Sequence, residues 1–79
     1  MISWHINTHD FFCLRGRAER AFANDCELQV YLFAGNRQGQ PVIGWEIYRG
    51  IELLTLLATG SADSFDKAKH ACEETWRKL

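Results

Sequence analysis

The sequence predicts an α+β fold: an antiparallel sheet of four strands, or five, with one C-terminal helix packed on one face. Three observations predict it. Phe65, Ala68, Cys72, Trp76 and Leu79 recur at spacings of three and four, the period of a helix with one apolar side. Upstream, several short runs rich in β-branched and aromatic residues read as strands. Turn-forming residues, Gly35 to Pro41 above all, separate these runs.

The helix is the clearest element. Ala71 joins its apolar side, while Asp66, Lys67, His70, Glu73, Glu74, Arg77 and Lys78 fall opposite. Asp63 or Ser64 supplies the N-cap, because a short side-chain oxygen can accept from an orphan amide of the first turn. Asp66 early and Arg77 and Lys78 late complement the helix dipole.

Three strands are expected before it, at Glu27 to Ala34, Val42 to Tyr48 and Ile51 to Thr59. The first two are joined by the turn cluster from Gly35 to Pro41, and the last two by a tight hairpin at Arg49-Gly50. Ile2, Trp4 and Ile6 alternate with Ser3, His5 and Asn7, which reads as a fourth strand. Between them, Phe11 to Leu14 reads as a strand after a turn at Thr8-His9-Asp10. Arg17 to Ala23 admits a short helix or a strand, and strand is preferred.

A chain of 79 residues holds one domain, spanning 1–79, with one core. Its composition, 47% hydrophobic and 13% aromatic, is too apolar for a disordered tail. Domains of this size bury little surface and often lean on a partner subunit for stability. The nine Lys and Arg against ten Asp and Glu leave a formal charge of −1, without the basic excess that phosphate neutralisation requires. Arg15, Arg17 and Arg20 form a local basic stretch interrupted by Glu19.

Cys13, Cys26 and Cys72 are odd in number and show no paired spacing, so reduced thiols in a cytoplasmic protein are expected and a zinc or disulfide framework is not. No signal peptide is read at the N-terminus. The longest apolar stretch, Ile51 to Ala58, contains Glu52 and is far shorter than a membrane span, so no membrane association is expected. His5 and His9 stand four apart, but His5 lies in an alternating segment where that spacing does not converge. No GxSxG, HExxH or phosphate-binding glycine loop occurs, and Glu73-Glu74 falls on the solvated helix side. The expectation is a protein that is not an enzyme and binds no metal or cofactor.

One helix covers one face of a small sheet, and the other face should then alternate polar. Here both faces carry bulk. Leu28, Val30 and Leu32 form one face of the central strand, and Tyr31 and Phe33 the other. An apolar second face needs a cover. A partner surface or a second copy of the chain would supply it, and so would the N-terminal segment with Trp4, Phe11 and Phe12 folded back across it. If the helix takes the aliphatic set, Tyr31, Phe33 and Tyr48 emerge on the open face beside the turns that carry Arg37 and Arg49. These five residues are the candidate partner-binding set, of the types that dominate binding hot spots.

Two resemblances bear on the partner. The segment from Gly60 to Lys69 is similar to the start of the last helix of double-stranded RNA-binding domains, keeping Gly60, Ser64, Ala68 and Lys69. The two phosphate-facing lysines of that family fall on Phe65 and Asp66, and its opening helix has no counterpart here, which disfavours nucleic acid. A second resemblance spans most of the chain. Trp4, then Trp45-Glu46-Ile47, then Leu54 through Gly60-Ser61-Ala62 into Ser64 to Lys69, looks like small phage and prophage proteins of the anti-CRISPR type. That resemblance implies a non-catalytic, protein-binding inhibitor in the cytoplasm of a bacterial host, one that blocks a surface of a host protein complex such as a CRISPR nuclease effector. The rival expectations are a nucleic-acid-binding module and a structural homodimer.

Overall fold

The computed structural model describes residues 2–9, 11–35, 38–50 and 55–79. Five antiparallel strands form one meander: β1 (His5–Ile6), β2 (Ala18–Ala23), β3 (Cys26–Gly35), β4 (Pro41–Arg49) and β5 (Thr55–Ala62), in spatial order β1-β2-β3-β4-β5. The helix α1 (Phe65–Arg77) follows and lies across β3, β4 and β5. The α+β class, the antiparallel sheet and the C-terminal helix are as expected, and the larger of the two strand counts holds.

The helix starts where its caps dictate. The Ser64 hydroxyl accepts from the Lys67 amide at 3.1 Å, which satisfies one of the first-turn donors. Ala68 and Cys72 are fully buried against the sheet, with Phe65, Ala71 and Trp76 partly buried beside them. Facing them are Leu28 and Val30 of β3 and Ile43, Trp45 and Ile47 of β4, every one buried. Ala21 pairs with Leu28 and extends this core onto β2. At Gly60 the Trp45 ring lies so close that a Cβ would stand 2.4 Å from it. The glycine therefore makes the room into which the largest core side chain packs across the strand pair.

Four local expectations differ from the structure, the first being the opening strand, which is confined to His5–Ile6 although the alternation runs from Ile2 to Asn7. Phe11–Arg15 is a 3-10 helix and not a strand. It packs against β3 and is followed by Gly16, whose φ of 131° few other residues adopt. Gly60, Ser61 and Ala62 belong to β5, so the last strand runs later than Thr59. The Arg49-Gly50 hairpin closes on the pair Arg49↔Thr55, so it is longer than a two-residue turn, although Gly50 takes the positive φ expected of it, 86°. The expected strand residues Ile51 to Leu54 lie outside the described residues. The tight turn is instead the one joining β2 to β3. There Ala23 pairs with Cys26, and Asn24 adopts φ 57°, a conformation Asn tolerates better than most residues.

Two bulges shape the sheet. Phe33 is an extra residue between the pairs Leu32↔Ile43 and Ala34↔Val42, and Leu57 an extra one between Ile47↔Ala58 and Tyr48↔Leu56. A bulge bends its strand and re-aims the side chain that has no opposite number.

Candidate functional site on the open face of the sheet

The register assigns the two faces. Leu28, Val30, Ile43, Trp45 and Ile47 point to the helix, so Tyr31, Gly44, Glu46 and Tyr48 point the other way. Tyr31 lies over Gly44, directly opposite it, where a Cβ would stand 2.6 Å from the ring. The missing side chain lets the phenol reach Glu46 on the same strand, at 2.9 Å. The Tyr48 hydroxyl donates to the other oxygen of the Glu46 carboxylate. Burial, with the Glu46 charge adding to it, pushes both phenols well above their ordinary value.

The 3-10 helix covers part of this face. Phe12 is buried, with its ring 4.7 Å from Tyr31 and 6.4 Å from Tyr48. Phe11 stacks beyond it at 4.3 Å, and Phe33, re-aimed by its bulge, meets Tyr31 edge-on at 6.3 Å. The rings of Phe11, Phe12, Tyr31 and Phe33, with Leu14, Arg15, Leu32 and Glu46, line a cleft of about 390 Å³ whose walls are mostly apolar. Its rim is exposed: Leu14 is 81% accessible, Phe11 60% and Phe33 55%.

Below the cleft the face turns polar. Gln29 is fully buried; it accepts from the Asn7 amide at 2.9 Å and donates to the buried Glu27 carboxylate. Arg20 and Phe22 stack on each other farther along, with the guanidinium 5.4 Å from the ring centre.

The helix side holds the ion pairs. Glu19, nearly buried, accepts from Lys69 at 2.7 Å and from Arg17 at 2.5 Å, and Arg17 also lies over the Phe65 ring at 4.1 Å. Burial raises the Glu19 carboxyl, but the hydrogen bonds and charges of Lys69 and Arg17 outweigh it and hold the group below its ordinary range. Burial, with the neighbouring Glu73 charge, pushes the Cys72 thiol up to about 12. None of the three cysteines is in a disulfide. Among the described residues no group of three or more His, Cys, Asp and Glu side chains could hold a metal ion. Among the described residues no helix is long and apolar enough to cross a membrane.

Of the five candidate residues, the structure gathers three. Tyr31, Phe33 and Tyr48 share the open face. Arg49 does not join them: it pairs with Cys26, on the helix side of the sheet, and stands 3.6 Å from Asp25. Arg37 lies outside the described residues. The N-terminal cover foreseen for the open face is divided. Phe12 folds back over Tyr31, whereas Trp4 turns to the helix side and donates to Glu73 at 2.8 Å. Sequence reasoning left out Phe11, Leu14 and Glu46 from the set. Glu46 was legible in principle, since strand period puts it between Gly44 and Tyr48 on one face.

The basic stretch is also dispersed. Arg17 is paired with Glu19, Arg20 lies on Phe22, and Arg15 stands at the rim of the cleft. Comparison with family models, with curated proteins and with solved structures gave no match to any of them.

Proposed function

We propose that this protein works by binding another protein through the aromatic cleft on its open face, without catalysis. The observation that carries the reading is the rim of Phe11, Leu14 and Phe33, three large apolar side chains more than half exposed around a base of Phe12 and Tyr31. Scattered single apolar residues are ordinary on a surface, but a contiguous group around a preformed cleft is the makeup of a contact site. Burying each rim side chain would contribute about 1.5–3 kcal/mol. The base is rigid, because Tyr31 is held by Gly44, Glu46 and Phe12 together, so little ordering is lost on binding.

The resemblance to small phage proteins gives the partner its class: a host nuclease effector complex of the CRISPR type, whose working surface this face would block. Charge supports a protein partner over nucleic acid. The open face sets Glu27 and Glu46 against Arg15 and Arg20, which makes no basic stripe, and among the described residues Lys69, Arg17, Lys67, Arg77 and Arg49 are each committed to a carboxylate. Duplex binding needs cations free to replace counterions. The test is direct. Purified effector complexes are loaded with guide and target DNA, and DNA binding and cleavage are followed with the protein added in increasing amounts. Dose-dependent loss of either activity with no gel shift of DNA or RNA alone supports the reading. Salt-dependent binding to nucleic acid alone, with the effector untouched, overturns it.

A further inference from the structure

We propose that β5 is a self-pairing edge, through which two copies of the chain join their sheets about a twofold axis centred on Gly60. The two edges of the sheet are built differently. At one, β1 has only two residues, the short and blunted form by which proteins commonly discourage strand addition. At the other, β5 runs for eight residues, Thr-Leu-Leu-Ala-Thr-Gly-Ser-Ala, with no charged residue and no proline. Its inner side pairs with β4, and among the described residues no backbone group outside β4 bonds to it. Every second residue therefore turns an unmatched amide and carbonyl outward. The Leu57 bulge breaks the run near its start and leaves Ala58 to Ala62 as the regular stretch.

That stretch reads nearly the same in both directions. In an antiparallel pair centred on Gly60, Ala58 meets the partner's Ala62 on the helix side and Thr59 meets the partner's Ser61 on the open side. Small side chains meet small ones, hydroxyl meets hydroxyl, and no like charges are opposed. Thr59 and Ser61 are both exposed; the Thr59 hydroxyl donates to the Trp45 carbonyl at 3.2 Å and keeps its oxygen to accept from the partner's Ser61. The neutral, self-matching register is what commits the edge to a second copy over an unrelated strand. The cleft at Phe33 is a separate surface and need not be involved.

Sedimentation of the wild-type chain across a concentration series tests this, together with the double variant Thr59→Lys/Ser61→Lys and its acidic counterpart Thr59→Glu/Ser61→Glu. The expected result is a wild-type dimer, two monomeric variants with native circular dichroism, and a dimer restored when the two variants are mixed. A variant at the cleft, Leu14→Ser/Phe33→Ser, is expected to remain dimeric. Hydrogen exchange on the wild type gives a readout that needs no variant, since amides within Ala58 to Ala62 should slow as concentration rises. A wild type that stays monomeric at every soluble concentration overturns the proposal. So does a dimer that survives the lysines, or one that the cleft variant abolishes.

Discussion

Replacing Gly44 by alanine probes fold and site at one position. The new Cβ would stand 2.6 Å from Tyr31 Cζ and 2.8 Å from its hydroxyl oxygen, closer than real carbons approach. Two relaxations are open. If the ring keeps its place between Phe12 and Glu46, strands β3 and β4 must part, and overpacking of this kind costs about 1–3 kcal/mol. If the ring swings off the strand, Tyr31 gives up its bond to the Glu46 carboxylate, a loss of roughly 1.5–3 kcal/mol for a charged acceptor. Lower entropy of the unfolded chain offsets about 0.4–1 kcal/mol of either cost. The net expectation is a loss of about 1–2 kcal/mol, roughly 5–15 °C in Tm for a domain of this length. Urea titration gives the first number, and phenolate absorbance against pH separates the two routes, because a ring that leaves Glu46 ionises nearer the ordinary value of 10. An unchanged urea midpoint with an unchanged tyrosine titration would refute the placement of Tyr31 over Gly44.

Other expectations follow from the same contacts. The chain has only two tyrosines, and both donate to Glu46, so Glu46→Gln should lower both ionisations toward 10 in a spectrophotometric titration. Because both folded values are raised, their contribution to stability is fully present below pH 10 and is lost as pH rises through the folded values; the variant should lose less stability in alkali. Glu19 carries the opposite sign. Its folded value is lowered, so its contribution is present above the ordinary 4.5 and is lost as pH falls through the folded value. Glu19→Gln should cost about 2–3 kcal/mol near neutral pH, toward the low end for a buried pair because Lys69 keeps some exposure, and should flatten the acid limb of the urea midpoint against pH. Trp76→Ala should cost about 2–3 kcal/mol by urea titration, less than a fully buried tryptophan, since Trp76 is only partly buried beside Cys26.

Much of the fold was legible because period and caps agree along the chain. The three-and-four spacing from Phe65 to Trp76 and the hydroxyl of Ser64 fix the helix, and alternation in Leu28 to Leu32 fixes which face it covers. The misread segments are those where a local pattern does not determine tertiary placement. Phe11 to Leu14 is apolar enough for a strand, yet it coils as a 3-10 helix so that Phe12 can bury against Tyr31 from outside the sheet. Arg49 neighbours Tyr48 in sequence, but successive strand residues point to opposite faces, so the two cannot share a surface. The Phe33 bulge has no signature in the sequence: it arises from the pairing of β3 with β4, and it turns Phe33 toward the cleft.

The central claim is that the aromatic cleft is the contact surface for an effector complex. Its most direct test compares wild type with Leu14→Ser/Phe33→Ser as inhibitors of target-DNA binding by that complex. Both side chains are more than half exposed, so the variant should keep the native urea midpoint. Losing two buried contacts of about 1.5–3 kcal/mol each predicts an inhibition constant weaker by at least roughly a hundredfold. Equal inhibition by the two folded proteins would contradict the account.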